Sequence, residues 1–146
     1  MNSSTAKLRE DFLEACNPRL RDAATDAIDK LVEFSEAQNT IELRNVPDDH
    51  NTSICYVVKE RGCLLWKAYA EQEKVEFLIR WPETLTSAES RQFRDLWKSI
   101  RRIDLQESGK GSVAALPFHA FQNKVVWMNV LVLLEWGSQL PAKVES

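Results

Sequence analysis

The stretch SICYVVKERGCLLWKAYAEQEKVEFLIRW, residues 53–81, decides the fold, because it holds three strand patterns separated by two short polar turns. The last pattern, residues 74–81, alternates apolar and charged side chains, which is the two-residue period of a half-buried strand. Its inward positions are Val75, Phe77, Ile79 and Trp81. In residues 63–70 the same period places the even positions, from Leu64 to Ala70, on one face. The turn at Glu60-Arg61-Gly62 ends in a glycine suited to a positive φ.

Both turns are too short for a parallel crossover, which needs a dozen or more residues, so these strands form an antiparallel meander. One more strand is predicted upstream, in residues 40–46, where Ile41 and Leu43 alternate with Glu42 and Arg44. The meander is therefore expected to have three or four strands.

Helical patterns precede the meander. Apolar residues from Leu8 to Cys16 recur at helical spacing, and the helix is expected to stop at Asn17-Pro18, since a residue before proline leaves the helical region. Pro18 then suits the first position of a second helix, capped by Asn17 and running to about Ala37.

Helical patterns also follow the meander. Thr86 and Glu89 have the spacing of a capping box, and a helix with one apolar face is predicted from Ser87 to about Ile103. A last apolar element, residues 118–136, is predicted as a helix that starts near Pro117 and ends at Gly137. Its valines also favour a strand, and that alternative stays open at this point.

These elements predict an α+β fold. With 146 residues and 16.8 kDa, the chain is expected to form a single domain, residues 1–146. Two N-terminal helices occupy residues 1–37, the meander residues 40–81, and two C-terminal helices residues 86–137, the last of them with the strand alternative just described.

The charges are unevenly distributed. The formal net charge of −3 and the pI near 5.5 count against a protein that coats nucleic acid with its whole surface. Residues 1–50 carry 6 bases and 11 acids, whereas residues 51–146 carry 13 bases and 11 acids. The chain is thus acidic in its first third and slightly basic afterwards.

The helix after the sheet carries a concentrated group of positive charges, five bases against two acids. Arg91, Arg94, Lys98 and Arg101 are three, four and three residues apart, so they fall on one stripe, with Arg102 beside it. Lys110 follows in a glycine-rich loop. Arginine favours bidentate contacts with carboxylates or phosphates. These six residues are the predicted partner-binding site, and the alternative is pairing within the chain with Asp22, Asp26, Asp29, Glu33 and Glu36.

The leading functional hypothesis is a non-enzymatic protein-binding module, or a small regulatory or inhibitor protein, that acts through this basic helix and an aromatic surface. The expected partner is a protein with an acidic surface. The chain has five tryptophans, and its last segment is apolar nearly all round, so one side of that segment is expected to meet a partner, including a second copy. The second choice is a nucleic-acid-binding protein that uses the same stripe.

A third hypothesis is a small enzyme that uses Asp48, Asp49, His50 or a cysteine. No catalytic, cofactor-binding or zinc-binding spacing supports it: residues 104–111 fail the phosphate-loop pattern, and no C-x-x-C is present. No cofactor and no metal are therefore predicted. Cys55 and Cys63 are close enough in sequence to face each other across the turn at Gly62.

Three cysteines and the absence of a secretory signal predict a reduced, cytoplasmic protein. The most apolar stretch is interrupted by Asn129 and Glu135, so no membrane association is expected.

Overall fold

The computed structural model describes residues 3–44, 52–102, 105 and 114–142. Two N-terminal helices are present, α1 (Ser3–Ala15) and α2 (Arg21–Glu36). Between them a short 3₁₀ turn, Pro18–Leu20, is capped by Asn17, whose Oδ1 accepts a hydrogen bond of 3.0 Å from the Arg19 N–H. The predicted pair of helices with a break at Asn17-Pro18 is therefore confirmed.

The sheet is an antiparallel meander in which the strands follow chain order. Gly62, in the turn between the second and third strands, has φ 73°, as its place in the sequence predicted. The α+β class is confirmed, but the meander has five strands instead of the three or four expected. They are β1 (Ile41–Leu43), β2 (Ser53–Val58), β3 (Cys63–Tyr69), β4 (Lys74–Ile79) and β5 (Ala114–Pro117).

The fifth strand was not predicted, and it lies directly before the last predicted element, residues 118–136. Leu116 pairs with Val75 and Ala114 with Phe77, so β5 covers the outer edge of β4. A 3₁₀ turn, Phe118–Gln122, follows, and α5 (Lys124–Ser138) begins only after Asn123, whose side chain accepts from the backbone N–H groups of the next turn. Helix is therefore the correct interpretation for residues 124–138.

The strict alternation of inward and outward side chains predicted for β3 and β4 is wrong at Leu64 and Ile79. Tyr56 of β2 pairs with Trp66 of β3, and the next residue of β2, Val57, pairs with Leu64. One step along β2 therefore corresponds to two residues of β3, which is an irregularity of the bulge type. Leu64 consequently lies on the opposite face from Trp66. Leu78, with φ 46°, is an irregularity at the corresponding place in β4. Ile79 pairs with Leu64 and does not face the core as Phe77 does.

One sheet face forms the core with the helices. Paired residues of this face are buried, among them Tyr56, Trp66 and Phe77. The indole Nε1 of Trp66 donates to Ser35 Oγ of α2 at 2.8 Å. At the other end of the core, a Cβ on Gly137 of α5 would lie 2.5 Å from Leu65 Cδ1, so glycine permits this close approach.

The opposite sheet face carries half-buried polar side chains on β3 and β4. Lys67 and Lys74 place their Nζ atoms 4.9 Å and 5.5 Å from the centre of the Tyr69 ring, and Lys74 pairs with Glu76 at 2.8 Å. Such pairs on an accessible surface contribute little to stability.

The connection after β4 positions the basic helix. A short helix, α3 (Trp81–Thr84), leads into α4 (Ser87–Arg101), which ends two residues before the predicted boundary at Ile103, a residue outside the described range. The predicted capping box is confirmed: Thr86 Oγ1 accepts from the Glu89 N–H at 3.2 Å, and Glu89 Oε1 accepts from the Thr86 N–H at 2.8 Å.

Replacing Thr86 by alanine should lower the free energy of unfolding by about 1 kcal/mol, because one N–H of the first turn of α4 loses its acceptor. Equilibrium urea denaturation of the two proteins measures the difference. Thr86→Ser is the control and should behave like wild type, since it keeps the hydroxyl. Equal stability of the alanine variant would show that water replaces the cap.

Candidate protein-binding surface

The apolar side of α4 is fixed in the core by aromatic contacts. Phe93 meets Trp81 edge to face, with ring centres 5.5 Å apart, and Trp97 lies 6.1 Å from Phe77. Ile100 is also buried. Because this face cannot turn, the polar side of α4 has a defined orientation toward solvent.

The polar side carries the five cations predicted as a binding site, and we call Arg91, Arg94, Lys98, Arg101 and Arg102 the α4 basic face. Arg94 is half-buried and the other four are exposed. Arg94 and Lys98 each already interact with another group of the chain. Arg102 follows the helix in a left-handed conformation, φ 53°, and its N–H donates to the Lys98 carbonyl. The sixth predicted site residue, Lys110, lies outside the described residues.

The acidic residues proposed as internal partners of this face include two that are engaged elsewhere. Asp29 accepts two hydrogen bonds from the Arg9 guanidinium of α1, at 2.6 and 3.0 Å. Asp26 accepts from Gln122 Nε2 at 3.1 Å. These contacts join α2 to α1 and to the 118–122 turn, and within the described ranges no ion pair joins either carboxylate to the α4 basic face.

The last helix lies along one flank of α4. Trp136 Nε1 donates to Gln92 Oε1 at 3.0 Å, and the Trp136 ring stacks on Phe93 at 6.4 Å. Gln92 and Arg101 are nine residues apart, which is about two and a half helical turns, so they point to opposite flanks. The α4 basic face and the aromatic residues of α5 therefore do not form one continuous surface, although the hypothesis from the sequence combined them.

The outer side of α5 is apolar and exposed. The exposed fractions are 67% for Val125, 66% for Met128 and 50% for Val132. With spacings of three and four residues, these side chains form one line along the helix, which we call the α5 stripe. Among the described residues they are the large hydrophobic side chains with high exposure. The sequence predicts an open side of this helix and favours tryptophan as its contact residue. Trp127 and Trp136 are instead both partly buried.

A groove of about 330 Å³ runs between α2 and α5. Its lining cation, Lys30, is already engaged, since Lys30 Nζ donates to the Phe121 carbonyl at 2.7 Å and lies 5.8 Å from the centre of the Trp127 ring. Its apolar lining comes from Phe34, Ala37, Trp127 and Leu131. The groove continues the apolar surface of α5 sideways, and Glu33 is the carboxylate in its lining.

The cysteines are packing residues in this structure. All three are buried, and burial raises the pKa of Cys16 and of Cys55 to about 11, and it also raises the pKa of Cys63. A raised pKa disfavours the thiolate, which is the reactive form. Cys55 pairs with Lys67 and Cys63 with Val58, on opposite faces of the sheet, so Cys55 and Cys63 do not face each other as their spacing would allow.

The acidic loop of the enzyme hypothesis, Asp48, Asp49 and His50, lies outside the described residues. Within the described ranges, no three side chains of His, Cys, Asp or Glu converge as metal ligands would. No described helix has the length and apolar character needed to cross a bilayer.

Comparisons with protein families, with curated proteins and with solved structures give no match to this chain.

Proposed function

We propose that this protein is a non-catalytic protein-binding module whose α4 basic face contacts an acidic surface of a partner protein. One observation carries the proposal: Arg91 and Arg101 are exposed on a helix with a fixed orientation, Arg102 is exposed directly after it, and none of the three forms an ion pair within the described part of the chain. Guanidinium groups in this position can form bidentate hydrogen bonds with carboxylates.

The rigidity of α4 supports a binding role. The capping box holds its first turn, and Phe93 and Trp97 hold its middle, so the cations are presented at defined spacing rather than on a loop. From residue 91 to residue 101 the stripe covers about 15 Å, at 1.5 Å per residue. A patch of this size suits a regulatory or inhibitory contact with a short acidic segment.

An acidic protein partner is favoured over nucleic acid by the charge of the rest of the molecule. Residues 1–50 carry 11 acids against 6 bases, which would repel a long phosphate backbone. A protein partner can present carboxylates to α4 alone and avoid the acidic surface. Nucleic-acid binding is the alternative to be tested alongside.

Reversing two exposed cations, Arg91→Glu with Arg101→Glu, should weaken partner binding about a hundredfold, since two charge-assisted hydrogen bonds of about 1.5 kcal/mol each are replaced by repulsion. Proteins captured from native lysate by wild type are identified by quantitative mass spectrometry, and the affinity of each purified partner is then measured by calorimetry. The variant avoids Arg94 and Lys98, which have contacts of their own.

The matched control is Lys7→Glu with Arg19→Glu, two exposed cations of the N-terminal helical region whose reversal changes the net charge equally. It should bind like wild type. If both double variants lose binding alike, net charge and not the α4 basic face is responsible, and the proposal fails. Binding of short DNA or RNA that weakens steeply with salt and depends on Arg91 and Arg101 would replace it with the nucleic-acid alternative.

A further inference from the structure

The α5 stripe is bordered by two opposite charges, one near each end of the helix. Lys124 is the first residue of α5 and Glu135 belongs to its last turn, and both are exposed. They are eleven residues apart, which is about three full turns, so both lie on the same flank of the stripe and about 16 Å apart along the axis. The apolar line of Val125, Met128 and Val132 lies between them.

These two charges are placed against the preference of the helix itself. The N-terminal end of a helix carries partial positive charge and favours acids, whereas the C-terminal end favours bases. α5 has the reverse, with no acid in its first turn and no base in its last. Neither Lys124 nor Glu135 forms an ion pair with another described residue. Locally unfavourable choices of this kind are expected where a second requirement, such as an interface, determines the residue.

We propose that the α5 stripe binds α5 of a second copy of this chain, antiparallel and about a two-fold axis. With the axis between positions 129 and 130, Lys124 of each copy faces Glu135 of the other. Met128 then lies beside Leu131 and Val132 of the second copy, so the exposed apolar side chains cover one another. A two-fold axis repeats every contact, giving two ion pairs around one apolar centre.

The charges select this arrangement over a parallel one. A parallel pair would place like charges at the same end of the interface, Lys124 with Lys124 and Glu135 with Glu135, and would form no attractive pair between them. An antiparallel pair makes the same four charges attractive. Pairing also places Glu135 of one copy next to the positive end of α5 in the other, which removes the unfavourable placement in the isolated helix.

The inference goes beyond the proposed function, since the α4 basic face lies on the flank of α4 away from α5. Pairing through α5 therefore leaves that face exposed in both copies. A dimer of this kind presents two basic faces.

The test is a charge-swap cycle in the full chain, measured by sedimentation equilibrium from micromolar to millimolar concentration. Wild type should show a mass rising from 16.8 kDa toward twice that value. Lys124→Glu and Glu135→Lys should each weaken dimerisation about tenfold or more, because each creates two repulsive pairs across the interface. The double variant Lys124→Glu/Glu135→Lys restores opposite charges and should dimerise as wild type does.

A further variant tests the apolar centre. Met128→Glu should abolish the dimer while leaving the far-ultraviolet circular dichroism unchanged, because the side chain is 66% exposed and the fold does not depend on it. Lys7→Glu on α1 is the control and should leave the dimer intact. The inference is overturned if wild type stays monomeric at the highest concentration, if the single reversals and Met128→Glu leave a dimer unaffected, or if the double swap is as weak as the single variants.

Discussion

Replacing Arg61 by alanine should lower the free energy of unfolding by about 3 to 5 kcal/mol, the cost of leaving one partner of a buried ion pair uncompensated. Arg61 lies in the β2–β3 turn, yet its side chain is only 3% exposed and that of its partner Glu89 only 14%. Its guanidinium donates to both Glu89 carboxylate oxygens, to the Thr84 carbonyl at 2.9 and 3.2 Å, and to the Pro141 carbonyl at 3.0 Å. Alanine removes every one of these donors.

The pair also predicts a pH dependence. The hydrogen bond from Arg61, followed by the backbone N–H of Thr86, lowers the pKa of Glu89 below its ordinary value of 4.5. A carboxyl whose pKa is lower in the folded state stabilises the protein above the unfolded pKa, and this contribution is lost as the pH falls through the folded pKa. Wild type should therefore lose stability below about pH 4.5 more steeply than Arg61→Ala.

Urea denaturation at neutral and at acid pH measures both effects. Glu89→Gln is the companion variant, because its amide oxygen can still accept from the Thr86 N–H while the carboxylate charge is removed. Arg61→Ala/Glu89→Gln should then lose less stability than the two single variants added together, since the charge left unpaired by alanine is absent. A loss below about 1 kcal/mol for Arg61→Ala would mean that water replaces the guanidinium, as at exposed pairs.

The second large effect is expected at Trp66, where replacement by alanine should cost about 3 to 5 kcal/mol. Trp66 is fully buried and stacks on Tyr56 with ring centres 5.1 Å apart. Its Nε1 donates to Ser35 Oγ, which in turn donates to the Leu31 carbonyl at 2.8 Å. The variant therefore leaves a cavity between the sheet and α2 and removes the hydrogen bond that joins them.

Two further variants separate the hydrogen bond from the packing. Ser35→Ala keeps the indole but leaves its N–H without an acceptor, at a cost of about 1 to 3 kcal/mol. Tyr56→Phe is the matched control, because the Tyr56 hydroxyl is buried and has no hydrogen-bond partner among the described residues, so its removal should not destabilise the protein. If Ser35→Ala unfolds like wild type, the Trp66 hydrogen bond contributes no net stability.

The fold was predictable where local chemistry alone determines structure. Pro18 stops the first helix, Thr86 and Glu89 start α4, and Gly62 takes the positive φ of its turn, each through interactions within a few residues. Prediction failed for β5, because Ala114–Pro117 has no strong strand preference and forms a strand only through pairing with β4, some forty residues earlier. The irregularities at Leu64 and Leu78 are likewise set by cross-strand pairing, which the alternation of apolar residues does not record.

The candidate binding surface was predictable in part for similar reasons. The spacing of Arg91, Arg94, Lys98 and Arg101 places them on one side of α4 once the helix is known. The sequence does not record that α5 packs on the Gln92 flank, since this depends on Trp136 meeting Gln92 44 residues away. Because α5 is apolar on nearly every side, periodicity also does not show which of its apolar residues are exposed, namely Val125, Met128 and Val132.

The fifth strand has a consequence for the chain during synthesis. Until Ala114–Pro117 is available, the outer edge of β4 has unpaired backbone groups, and α4 must be made first. An open strand edge is a template for pairing with another chain, so the nascent protein passes through an interval of aggregation risk that ends when β5 pairs. A chain shortened before residue 114 would remain in that interval permanently, and it would also lack buried core side chains such as Phe121, Leu133 and Leu134.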